Sequence, residues 1–288
     1  VEDNLRFTSI TDFQKVVRDY QEDSDASPIA DFNFYLTTDA EQFSQEFRLD
    51  GEMDRARWTA GFYFLDIKVE DSNGAEQPLL GVFGDLGLPA PLVDSPAGLL
   101  GPIENDGSFL GNDNPYTTKT TSWSVFGQLE YDLSEQFSAI LGVRYINENK
   151  EHEYANNFVD FNNDGTTKRG GNPNILDVVG TYSGEYNEGL WSAKAELDWR
   201  PNDDWLIYAS WNRGVKGGGF NAPLDVTGLT LDDDLMAFDE EILDAFEIGF
   251  KASLFGGLAR VNGAAFYYDY KDFQAFRIVG LSTFIFNA

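Results

Sequence analysis

The residues able to do chemistry are few, and each sits in a pattern that limits what it can do. Asp160, Asn162 and Asp164, followed by Gly165, repeat the D-x-N-x-D-G opening of a calcium loop. Alternating oxygen ligands with a glycine at the sixth position suit a hard cation. The twelfth position is Gly171, where the helix–loop–helix calcium motif needs a bidentate glutamate. The expectation is therefore a partial Ca2+ site in a loop, or else a plain Asn/Asp/Gly turn. Arg213 and Lys216 precede Gly217-Gly218-Gly219 and are candidate contacts for an anionic ligand. No Lys-Ser/Thr ending follows the glycines, so a phosphate loop is not supported. The sole histidine, His152, has no Ser or Cys pattern beside it, and Glu240-Glu241 reads as loop. No catalytic residue is assigned and no enzymatic activity is expected.

Composition narrows the class. The 288 residues carry a formal charge of -29, which would repel a phosphate backbone, so nucleic acid is not an expected partner. There is no cysteine, which excludes disulfides and thiolate metal sites. Aromatic residues make up 15% of the chain, far too many for a disordered segment. Mean hydropathy is nonetheless negative, and no apolar run approaches the roughly 18 residues of a spanning helix. A chain can be aromatic, polar on average and membrane-embedded if its faces alternate, as spanning β-strands do.

Alternation is the strongest signal in the chain. From Trp191 to Trp199 every odd position is apolar and every even position polar. A turn at Arg200 to Asp204 follows, and Trp205 to Arg213 then alternates again, which reads as a hairpin. The same unit recurs at 123–145 and at 246–267, and an earlier hairpin joins 43–49 to 58–64. About nine strands and the start of a tenth are expected, including one over 5–17. Turns within hairpins are short, whereas the connections between hairpins, roughly 18–40, 71–119, 154–187 and 217–240, are long. This rhythm is that of bacterial outer-membrane barrels, with short periplasmic turns and long extracellular loops. The long, apolar 71–119 connection is the first candidate for ligand contact.

The six tryptophans fall on these strands. Trp191 and Trp199, eight residues apart, are separated by about 26 Å along an extended chain, enough to reach both edges of an apolar band. Trp58 and Trp205 each open a strand just after a short turn, and Trp123 opens one after a long loop. With Trp211, all six are expected to form a lipid-facing girdle. A soluble sheet with a tryptophan core would alternate in the same way, and alternation alone does not separate the two.

Several segments resemble strands of TonB-dependent outer-membrane receptors. Tyr208 to Asn221 (YASWNRGVKGGGFN) is similar to a stretch of that family, as are Phe238 to Lys251 and Ala264 to Asp272 (AAFYYDYKD). Ser44 to Leu49 and Trp58 to Tyr63 also match its pattern, and the matches keep the family's order. The resemblance implies an all-β protein: part of an antiparallel transmembrane β-barrel of about 22 strands with a plug inside. Residues 1–288 would then be part of one barrel domain, with the plug and the C-terminal strands outside this sequence. The implied function is import of a scarce ligand, such as an iron–siderophore complex or cobalamin, across the bacterial outer membrane. The implied partners are outer-membrane lipid, that small-molecule ligand and TonB, which would act through a missing N-terminal region. A passive porin-type channel shares every barrel feature, and a non-transport outer-membrane protein is the third alternative.

Overall fold

The computed structural model describes residues 4–24, 33–78, 109–160, 174–224, 229–279 and 282–288. Nine long strands run up and down in sequence order: β1 (Leu5–Asp23), β2 (Asn33–Met53), β3 (Ala56–Pro78), β4 (Phe109–Asp132), β5 (Phe137–Asp160), β6 (Asn174–Asn202), β7 (Trp205–Lys216), β10 (Glu241–Leu254) and β11 (Ala259–Lys271). They form one antiparallel sheet in which every strand pairs with its neighbour in that order. Between β7 and β10 the chain makes β8 (Gly219–Phe220), the one-turn helix α1 (Asp233–Met236) and β9 (Ala237–Phe238). A last hairpin, β12 (Gln274–Val279) with β13 (Ser282–Asn287), follows β11. No helix among the described residues is long and apolar enough to cross a membrane, which says nothing about crossing by strands.

All the tight turns lie at one end of the sheet. Asp54-Arg55 joins β2 to β3, and Asp203-Asp204 joins β6 to β7, where the Asn202 side chain accepts from the Asp204 N–H. Between β4 and β5 the Ser134 hydroxyl accepts from the N–H groups of Gln136 and Phe137. Between β10 and β11 the backbone turns left-handed at Phe255, Gly256 and Gly257, which two glycines make cheap.

The register sorts side chains onto two faces, because directly paired residues point the same way. All six tryptophans share one face, in two rows. The upper row crosses the sheet through Phe43, Phe64, Trp123, Tyr145, Trp191, Trp211, Phe246 and Tyr267, joined by ring contacts of 5.8 to 6.5 Å and by direct register partners. The lower row, beside the tight turns, holds Trp58, Phe137 stacked on Trp199 at 6.0 Å, and Trp205 against Phe250 at 5.9 Å. Between the rows this face presents exposed Val125, Leu141, Val143, Leu197 and Ile248. The opposite face is charged at the same height, with ion pairs such as Arg57–Glu130, Lys194–Glu196 and Arg200–Asp198.

The strands do not stop at the upper row. From Tyr145, β5 continues to Asp160, about 50 Å further along an extended chain. Three of the expected long connections therefore shrink to 24–32, 79–108 and 161–173. Above the upper row, the tryptophan face gives way to Lys15, Glu41, Lys68, Lys119, Glu151 and Glu185, which form a single register row across six strands. With both faces polar, the chain keeps its strand geometry but loses the alternation that marks a strand in sequence. The expected 217–240 connection stands, since it contributes no strand to the main sheet.

Candidate functional site

The polar face of this upper wall, beyond both aromatic rows, carries the most elaborate arrangement among the described residues. Register brings Asn73 on β3 opposite Asn114 on β4, and Tyr116, Tyr154 and Tyr182 into one row across β4, β5 and β6. Asn156 donates to Asn114 Oδ1 at 2.6 Å, and Asn114 donates to Asn73 Oδ1 at 2.8 Å. Asn114 and Asn156 are fully buried.

What buries them is the connection after β7, which climbs the wall. At its foot, Lys150 donates to the Gly218 carbonyl at 2.5 Å and pairs with Glu148 at 2.7 Å. A Cβ on Gly217 would run into Glu148 Oε1, and one on Gly218 into the Phe238 carbonyl and the Tyr186 ring. Gly218, which faces backbone and a ring, is the glycine that close approach most requires. None of the three has a positive φ. One step higher, the Phe220 ring stacks on His152 at 5.0 Å, in space left open by Gly184. Higher still, the Ala222, Pro223 and Leu224 carbonyls accept from Asn73 (3.0 Å), Tyr154 (2.7 Å) and Asn114 (2.7 Å) respectively.

The chain then returns through α1, capped by the Asp232 side chain. Met236 is wholly buried with Tyr154 and Tyr182, and Tyr182 donates to Asp233 at 2.9 Å. Asn221 binds this return to the last hairpin. Its side chain donates to the Ile285 carbonyl at 3.0 Å and accepts from the Ile285 N–H at 2.8 Å, as a neighbouring strand would. Asn287 donates to the carbonyls of Asp239 and Asp272, and Gln274 donates to those of Gly217 and Asp239.

Burial dominates the electrostatics here. It pushes His152 down to about 4, against a smaller opposing pull from the Asn221 backbone. The Thr118 hydroxyl lies 2.8 Å from His152 Nδ1. Burial raises Tyr116 and Tyr182, helped by Asp71 and Asp233, and pushes Tyr186 up to about 12. These are neutral hydrogen-bonding and stacking groups, with no nucleophile set against a base.

The residues singled out by sequence are scattered relative to this cluster. Asp160 closes β5, while Asn162 and Asp164 lie outside the described residues, as does most of the 71–119 connection. No group of three or more His, Cys, Asp or Glu able to hold a metal occurs among the described residues. Arg213 and Lys216 part company, because three positions along a strand reverse the face. Lys216 is exposed on the polar face. Arg213 lies on the tryptophan face, its guanidinium 4.2 Å from the Trp191 ring centroid and 3.1 Å from Asp244, which also accepts from Trp211 Nε1 at 3.0 Å. The expectation that Arg213 meets a ligand in the mouth does not fit this placement. His152 lies within β5 and is 3% exposed. The asparagines and tyrosines escaped sequence reading because nothing in their spacing distinguishes them from loop residues.

The comparisons with known proteins agree with this architecture. The family model described as TonB dependent receptor-like, beta-barrel matches residues 2–288. Among solved structures, the ferric yersiniabactin uptake receptor FyuA from Yersinia pestis is similar with a TM-score of 0.63 and 18% identity, over 95% of this chain and 34% of that one. The siderophore receptor PiuA from Acinetobacter baumannii gives 0.61 and 17%, over 92% and 38%. The ferric-catecholate import receptor Fiu from E. coli K12, in its closed form, gives 0.57 and 15%, over 99% and 41%. The chain thus spans between a third and about two fifths of the length of these structures, and at such identities the likeness establishes the fold. No curated protein matches the sequence. The family match over nearly the whole chain, together with the up-and-down sheet and its two unlike faces, settles the assignment: the chain belongs to the TonB-dependent receptor β-barrel family of the bacterial outer membrane.

Proposed function

We propose that this chain is part of the wall of an energised importer that takes up a scarce ligand, such as an iron–siderophore complex or cobalamin, with TonB as its inner-membrane partner. The observation that carries the reading is the inward fold of the connection after β7. It lies on the charged face of the wall, where a ligand would pass, and not on the tryptophan face. The tryptophan face supports contact with lipid, because two aromatic rows flanking an exposed apolar band are what a bilayer selects. Lys216, exposed on the inner face at the foot of the mouth, is the candidate contact for an anionic ligand. The test is growth of a strain lacking the gene, under iron limitation with ferric siderophores and under cobalamin dependence. Loss of uptake that the gene restores only when TonB is present is the expected result. Restoration without TonB, at a rate linear in ligand concentration, would make the protein a passive channel.

A further inference from the structure

We infer that residues 217–224 and 229–240, with strands β12 and β13, form a fixed inner collar, latched to the wall by a rail of asparagine amides whose bonds to the collar go to its backbone. The rail starts at Asn156 on β5, passes through Asn114 on β4 and ends at Asn73 on β3, each amide donating to the next side-chain oxygen. Along its length it also donates outward to the collar: Asn73 to the Ala222 carbonyl, Asn114 to Leu224, and Tyr154 to Pro223. The acceptors of these three outward bonds are all main-chain oxygens. Pro223 suits the middle place, for it has no N–H to leave orphaned, its φ is already restricted, and its ring is fully buried.

The second half of the collar is held by the same chemistry from the other direction. Asn221 grips both polar groups of Ile285, and Asn287 grips the backbone at Asp239 and Asp272. Met236, sealed against Tyr154 and Tyr182, makes the contact dry between these two sets of bonds. A lid must open and close at small cost. This segment would have to expose a buried methionine and strip the buried amides of Asn73, Asn114, Asn156 and Asn221 of their partners together, so it behaves as a rim of set width. It narrows the entrance whether or not a ligand is present, and ligand-dependent closure belongs elsewhere in the receptor.

Hydrogen exchange of the full-length receptor in detergent micelles, read by mass spectrometry, tests this. Collar amides at Asn221, Asp239 and Ile285 should exchange within about tenfold of those at 148–156 on β5, since a latched segment opens only with the wall. Replacing Asn114→Leu together with Asn156→Leu should accelerate collar exchange by about a hundredfold or more, while strands between the aromatic rows keep their protection. A collar that exchanges like an open loop in the unsubstituted receptor would overturn the inference. So would a double variant with an unchanged collar. If the double variant does not assemble, Asn73→Asp is the substitute: nearly the same size, with an acceptor now facing the Ala222 carbonyl. The same two outcomes then decide.

Discussion

One strand, β5, passes through two environments, and its two halves differ in everything but backbone. From Phe137 to Tyr145 every odd position is apolar, with Phe137, Ala139, Leu141, Val143 and Tyr145 on the tryptophan face. From Ile146 to Asp160 that face carries Asn147, Asn149, Glu151 and Glu153, while the opposite face buries His152, Tyr154 and Asn156 under the collar. The lower half is dry outside and charged inside, and the upper half is wet outside and partly dry inside. Alternation therefore reports one apolar face against a different neighbour. It does not report the presence of a strand.

The largest effect that would break this comparison is a charge placed on the dry face of the lower half. Leu141→Arg should destabilise the barrel by about 2–4 kcal/mol when unfolded with denaturant in lipid vesicles. Gln128→Arg, on the opposite face and exposed, should fall within about 0.5 kcal/mol of the parent. Equal costs for the two would mean that the tryptophan face does not meet hydrocarbon. In the upper half the sensitive face is the inner one. Gly218→Ala would force a methyl against the Phe238 carbonyl and the Tyr186 ring, at a cost of about 1–3 kcal/mol in collar stability. Gly214→Ala meets open space and should cost about 0.5 kcal/mol or less, so denaturation midpoints of the two variants should separate clearly. Trp191→Leu, at the boundary, removes the ring under Arg213 and should cost about 1 kcal/mol, with little left of that loss if Arg213 is already alanine.

The smallest effect depends on pH. The folded His152 titrates near 4, below its ordinary value of 6.5, so the fold favours the neutral ring. Its contribution is complete above about pH 6.5 and is lost as pH falls from there through 4, because the unfolded chain takes up the proton first. Collar protection factors, corrected for the pH dependence of intrinsic amide exchange, should fall toward acid across that window. An imidazole resonance titrating above pH 6 in the folded receptor would contradict the burial of His152.

Much of the fold was legible. The hairpins at 123–145, 191–213 and 246–267 announce themselves because one face of each is apolar at every second position over most of its length, and the tight turns carry Asn, Asp, Ser or Gly where the backbone needs them. The upper wall reads as loop in sequence at 18–40, 71–119 and 154–187, since strands polar on both faces look like loops. The site fared worse. Gly217-Gly218-Gly219 was noticed, but its reason, the approach of Glu148 and Phe238, lies in contacts with distant parts of the chain. The asparagine rail joins residues 41 and 42 positions apart, and only the register of β3, β4 and β5 brings them together.

The height of the wall constrains how this surface can change. Above the aromatic rows the described residues of β2 to β6 are paired strands, and apart from the register shifts at the top of β5 each side chain's direction is set by its parity. One inserted residue would turn Tyr154 and Asn156 outward, unless a bulge absorbed it. Without a bulge, an insertion below Tyr154 must therefore come in steps of two residues, added to both strands of a pair. At the cell surface, where antibodies and phages press for variation, such a receptor should vary by substitution on its outer face and change its length only in even, matched increments.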